Sequence, residues 1–84
     1  MNYKEFEKVI QKEYGKSWKL RKNYVLEAEC TYARFYKKFQ DGIISFQVGD
    51  DDIKSPYAIE ISLGINDDGD FTNHEANYNF LKNI

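Results

Sequence analysis

The strongest constraint on the fold is a hydrophobic periodicity of two in the second half of the chain. In residues 57–65 every odd position is Tyr, Ile or Leu, and in residues 44–48 every even position is Ile, Phe or Val. Because successive side chains of a strand point to opposite faces of a sheet, this alternation is typical of strands with one buried face. Both runs are therefore predicted to be strands of an antiparallel sheet.

Residues 24–40 fit two patterns, and the choice between them decides how many strands the sheet has. As a helix, the segment collects its apolar residues within one arc; as a strand, it alternates as far as Tyr32 and then shifts phase. Its many β-branched and aromatic residues favour strands. We therefore expect strands here, with a helix as the alternative.

An Asp-Gly pair at residues 41–42 is the expected turn into the next strand. Such pairs favour two-residue hairpins because both residues tolerate positive φ angles. A turn at this pair places Phe39 opposite Ile44 and Phe35 opposite Val48, which predicts one continuous buried face.

Helices are predicted at both ends of the chain. Residues 2–14 carry an apolar stripe at three- and four-residue spacing, with Asn2 as the cap, Glu5 in the capping-box position and Gly15 beyond the end.

A second helix is predicted after a turn over residues 66–70, with Thr72 and Glu75 as its capping box. Its expected buried residues are Ala76, Phe80, Leu81 and Ile84. The sequence thus predicts one small α+β domain over residues 1–84, ordered α-β-β-β-α, with a three- or four-stranded antiparallel sheet covered by helices.

The length of 84 residues limits the size of the core, and the single cysteine indicates the cellular compartment. A chain of this size buries about 60–65% of its unfolded surface, so a deep substrate cavity is not expected. A lone cysteine cannot form an internal disulfide, which favours a reducing cytoplasm. No run approaches the roughly 20 apolar residues of a membrane span, and the N-terminus lacks the apolar stretch of a signal peptide.

The candidate catalytic residues are few. Cys30 lies on the apolar side of its run, where a free cysteine is usually a small buried hydrophobe, and His74 falls in the first turn of the last helix. The five glycines are spread singly and do not form a phosphate-binding loop. We therefore expect no enzyme activity, no cofactor and no metal.

A twelve-residue segment from Gly64 to Glu75 resembles the calcium loop of EF-hand and dockerin proteins. The resemblance implies oxygen ligands from Asn66 and Asp68, a turn at Gly69 and a bidentate carboxylate at Glu75. Gly64 departs from the family pattern because it occupies the first ligand position, where the family has an aspartate. A weak calcium-loop protein is therefore only the second alternative function.

The formal net charge of −2 hides a strong asymmetry along the chain. Residues 1–40 carry ten basic and five acidic residues, whereas residues 41–84 carry two basic and nine acidic residues. Such asymmetry indicates charged partners, unless the two halves neutralise each other in the fold.

We predict a non-enzymatic binding protein that acts by surface contact, in the style of a bacterial or phage inhibitor, immunity or anti-defence protein. The chain is rich in Asn, Lys, Tyr and Ile, as are proteins from AT-rich bacterial and phage genomes. Two acidic clusters, expected about 30 Å apart at the ends of the strand over residues 57–65, suit a protein partner with a basic groove. The predicted partner-binding residues are Asp50, Asp51, Asp52, Tyr57, Asp67, Asp68 and Asp70.

Nucleic-acid binding through the basic half is the alternative. Cations alternate with aromatic residues there, as in platforms that bind single strands. Lysines also recur every four residues from Lys4 to Lys16, a spacing at which like charges on a helix repel. The predicted residues of this alternative site are Lys16, Trp18, Lys19, Arg21 and Lys22.

The missing first ligand gives a calcium test. We expect calcium at about 1 mM to leave the thermal midpoint unchanged, because a Kd of about 10 mM adds less than about 0.1 kcal/mol to the free energy of unfolding. Thermal unfolding with calcium and with magnesium measures the effect. A rise specific to calcium, and lost in Asp68→Ala, would contradict this prediction.

Overall fold

A helix, an open antiparallel sheet and a second helix follow one another along the chain. The computed structural model describes residues 2–21, 32–62, 66–68 and 73–84. Neighbouring strands are antiparallel and follow chain order across the sheet. The predicted α+β class is confirmed. The elements are α1 (Tyr3–Tyr14), β1 (Lys19–Leu20), β2 (Tyr32–Phe39), β3 (Gly42–Gly49), β4 (Tyr57–Ser62), β5 (Asn66–Asp68) and α2 (His74–Lys82).

Three long strands, β2 to β4, match the predicted runs. The preference for strand over helix is confirmed for residues 32–39, whereas residues 22–31 and 63–65 lie outside the described residues. The short edge strands β1 and β5 were not predicted, and β5 occupies part of the turn expected over residues 66–70. That turn is wrong at residues 66–68 because their backbone pairs with β4, which gives edge groups of β4 hydrogen-bond partners.

The hairpin between β2 and β3 differs from prediction by two residues. Phe39 pairs with Gly42, so the connecting residues are Gln40 and Asp41, and Phe35 lies opposite Phe46. Gln40 has a φ angle of 54°. A positive φ angle in this turn was expected at the Asp-Gly pair instead. A shift by an even number of residues keeps every side chain on its predicted face.

Aromatic rings form the centre of the core, on the sheet face that both helices cover. Phe46 of β3 is fully buried, and its ring centroid lies 4.7 Å from that of Trp18, 5.0 Å from Tyr14 and 6.0 Å from Phe35. These contacts join one residue of β3 to α1, to the segment before β1 and to β2. Among the described residues, the rest of this core cluster is Phe6, Ile10, Ala33, Ile44, Val48, Ile59 and Leu81.

The first helix begins and ends as predicted. The Glu5 backbone N donates to Asn2 Oδ1 at 2.9 Å, and Asn2 Nδ2 donates to the Glu5 carboxylate at 3.0 Å. Gly15 ends the helix with a φ of 126°, a conformation that favours glycine.

The second helix begins with a different cap from the one predicted. Asn73 is the cap residue, since its Oδ1 accepts from the Ala76 backbone N at 3.1 Å; Thr72 lies outside the described residues. This cap places Asn77 and Leu81 on the buried face. Burial of Ala76 and Phe80 was predicted wrongly, because both lie on the solvent side of that stripe.

The central position of Phe46 gives a stability test. We expect Phe46→Ala to lower the free energy of unfolding by about 3–5 kcal/mol, since it removes a fully buried ring from three aromatic contacts. Ile43→Ala in the same strand is the control, because Ile43 is 49% exposed. Urea unfolding of both variants measures the difference, and equal losses would contradict the assignment of Phe46 as the centre of the core.

Candidate functional site

The loop between β3 and β4, residues 50–56, carries three adjacent aspartates and is called the acidic loop below. Asp51 and Asp52 are exposed. Two backbone hydrogen bonds fold the loop into consecutive turns: Asp52 N donates to Gly49 O at 3.2 Å, and Ser55 N donates to Asp52 O at 3.1 Å. The carboxylates are therefore presented on a folded loop.

Side chains from both helices hold the acidic loop in place. The Tyr14 hydroxyl of α1 donates to the Ile53 carbonyl oxygen at 2.6 Å. From α2, Asn77 Nδ2 donates to the Pro56 carbonyl oxygen at 2.9 Å. His74 Nδ1, also from α2, lies 3.0 Å from the Ser55 carbonyl oxygen. Three contacts thus connect the backbone of the loop to the rest of the fold.

A β-bulge at the start of β4 determines which way Tyr57 faces. Gln47 pairs with Tyr57 and Ser45 pairs with Glu60, so β4 has one more residue than β3 between these pairs. Ala58 in the bulge has a φ of 53°. Tyr57 consequently lies on the face opposite the core, where Gln47 Nε2 donates to its hydroxyl at 3.0 Å. Its place in the predicted buried stripe is wrong, because a bulge changes the phase of the alternation.

Arg34 holds the bulge from the same face. Only 6% of Arg34 is exposed, and both of its terminal nitrogens donate to the Ala58 carbonyl oxygen, at 3.2 and 3.1 Å. The same guanidinium pairs with the Glu60 carboxylate at 2.5 Å. A buried arginine that satisfies both a carbonyl and a carboxylate fixes the backbone next to Tyr57.

The second predicted acidic cluster lies beside β4. Asp67 pairs with Ile61 and Asp68 pairs with Glu60, whereas Asp70 lies outside the described residues. The predicted position at the far end of a strand over residues 57–65 is wrong for these two aspartates. The chain turns back after β4, so β5 runs alongside that strand.

The structure separates Trp18 from the other residues predicted for nucleic-acid binding. Trp18 is fully buried in the core, where no base can stack on its ring. Lys16, Lys19 and Arg21 are exposed, and Lys22 lies outside the described residues.

A basic groove lies between α1 and β1, with a volume of about 460 Å³. Sequence reasoning noticed the regular lysine spacing of α1 but not the groove, because the two residues of β1 show no periodicity. We call this site the lysine groove; it is lined by Lys8, Gln11, Lys12, Lys16 and Lys19.

The part of the chain that the structure describes contains no candidate metal site. Its His, Cys, Asp and Glu residues form no group of three that could hold a metal ion, and Cys30 lies outside it. None of its helices is long and apolar enough to cross a membrane.

No protein-family model, curated protein or solved structure is significantly similar to this chain.

The Tyr14 hydroxyl, which anchors the acidic loop, also has altered acidity. Burial raises the pKa of Tyr14 well above its ordinary value of about 10, and the nearby Glu13, Tyr78 and Asp52 raise it further. The hydrogen bond to Glu13 raises the pKa of Tyr78 as well.

These raised pKa values give a pH prediction. Above about pH 10 the folded state binds more protons than the unfolded state, so stability is lost as the pH rises. We expect Tyr14→Phe to reduce this loss and to lower the free energy of unfolding by about 1 kcal/mol at neutral pH, through the missing hydrogen bond. Urea unfolding from pH 8 to 11 measures both effects; an identical pH profile in the variant would contradict the prediction.

Proposed function

We propose that this protein acts without catalysis, by binding a protein partner through an acidic surface formed by Asp50, Asp51, Asp52 and Tyr57. The proposed partner presents a basic groove. The mode of action is that of a small inhibitor, immunity or anti-defence protein in the cytoplasm of a bacterium or of a phage-infected cell. Asp67 and Asp68 of β5, whose backbone pairs with β4, are further proposed contacts of the same partner.

The anchoring of the acidic loop is the observation that carries this proposal. A free loop loses conformational entropy when a partner orders it, and this loss weakens binding. The acidic loop is already fixed by Tyr14, His74 and Asn77. Its charges can therefore meet a complementary surface at a lower entropic cost.

Tyr57 supplies the contact that charge alone lacks. Exposed charges at the rim of an interface mainly accelerate association, whereas aromatic residues near its centre slow dissociation. The bulge places Tyr57 at the end of the acidic loop and outside the core, with its ring edge-on to His74 at 6.0 Å. Tyrosine is enriched at protein interfaces for this combination of apolar ring and polar hydroxyl.

Isolation of a partner and kinetics with that partner test the proposal. Cross-linking in the native host, followed by purification with and without nuclease, identifies a protein partner that does not depend on nucleic acid. We then expect Asp50→Asn/Asp51→Asn/Asp52→Asn to slow association at least tenfold at low salt and less at high salt. Tyr57→Ala should instead accelerate dissociation.

Two matched variants separate the causes. Tyr14→Phe keeps every charge of the acidic surface but removes an anchor of the loop, so we expect weaker binding without a change in salt dependence. Lys8→Gln/Lys12→Gln removes two positive charges outside the acidic surface, and partner binding should be unchanged. The proposal is wrong if the aspartate variant binds the partner normally while the lysine variant fails.

A further inference from the structure

Every carboxylate of α1 forms its hydrogen bond or ion pair with a group other than the lysines of the same helix. The helix contains Glu5, Glu7 and Glu13. Their partners are, in order, the amide of Asn2 at 3.0 Å, the backbone N of Leu20 at 2.8 Å, and the Tyr78 hydroxyl together with the Lys82 ammonium. The acidic residues of α1 therefore cap the helix and hold the tertiary structure.

The lysines of this region have no ion-pair partner among the described residues. Lys4, Lys8 and Lys12 recur about every 6 Å along α1, and Lys16 follows just beyond the end of the helix. Neither their side chains nor that of Lys19 form an ion pair or a hydrogen bond with any residue in the described ranges. Like charges at this spacing destabilise a helix, so the arrangement is unfavourable for folding and needs an explanation outside it.

Two side chains of α1 hold the β1 segment against the helix and so form the lysine groove. Gln11 Nε2 donates to the Trp18 carbonyl oxygen at 2.9 Å, and the Glu7 carboxylate accepts from the Leu20 backbone N at 2.8 Å. Both contacts fix the β1 segment against the helix, on either side of Lys19. Lys19 thereby lines the same groove as the lysines of α1.

We propose that the lysine groove binds the phosphate backbone of a single nucleic-acid strand, without reading its bases. Phosphates are the ligands that closely spaced lysines neutralise in nucleic-acid binding. The described lining contains lysines and one glutamine, and the nearby Trp18 is buried. An acidic protein would need aromatic or apolar anchors, and the described residues of the lining include none. The site is independent of the acidic surface.

Fluorescence anisotropy with a labelled single-stranded oligonucleotide of mixed sequence tests this inference. Four phosphate contacts predict a slope of log Kobs against log salt of about −3, and binding should differ little between sequences. Lys8→Gln/Lys12→Gln/Lys16→Gln/Lys19→Gln should abolish binding at low salt. This variant should fold, because it relieves like-charge repulsion, and its thermal midpoint checks that it does.

Control variants and competing ligands make the outcome decisive. Lys38→Gln, an exposed lysine in β2 outside the groove, should bind like the unaltered protein. The aspartate variant of the acidic loop should keep oligonucleotide binding, so failure of one proposal leaves the other standing. No binding at low salt, unchanged binding by the quadruple variant, equal affinity for polyglutamate, or more than tenfold preference for a duplex would each overturn the inference.

Discussion

The aromatic cluster around Phe46 is the interaction on which the other features depend. One ring of β3 contacts rings from α1, from the segment before β1 and from β2, so it fixes the helix and the sheet edge in a single arrangement. Tyr14 has two roles in it: its ring packs in the core while its hydroxyl holds the acidic loop. Trp18 likewise packs on Phe46, while its carbonyl oxygen accepts a hydrogen bond from Gln11 Nε2, a side chain that lines the lysine groove. Both candidate binding surfaces are therefore extensions of the same core.

The polar face of the sheet depends on a different interaction, the burial of Arg34. A buried guanidinium is stable only where its donors find acceptors, and here the Ala58 carbonyl and the Glu60 carboxylate provide them. Loss of either partner would leave a buried charge with less compensation, so the bulge and the arginine stabilise each other. This explains how a non-glycine residue keeps a positive φ angle inside a strand.

Sequence reasoning succeeded where periodicity is long and failed where structure depends on one residue. The stripe of α1 and the alternation of β3 predicted their buried faces, because burial alone sets these patterns. The β2–β3 register was missed by two residues because Gln40 adopts an angle that sequence assigns to glycine or asparagine. The orientation of Tyr57 was missed because a bulge leaves no trace in an alternating pattern, and the lysine groove was missed because β1 spans only two residues.

The contacts of Glu7 and Gln11 with β1 also matter for how this chain behaves at high concentration. A strand at the edge of a sheet exposes backbone groups to which another molecule can add a strand, and this is a common route to aggregation. In β1 and the residue before it, these outward groups include the Leu20 N and the Trp18 carbonyl oxygen, which already bond to helix side chains. The helix thus occupies the place of a neighbouring strand, and an incoming chain would first have to displace two hydrogen bonds flanked by lysines.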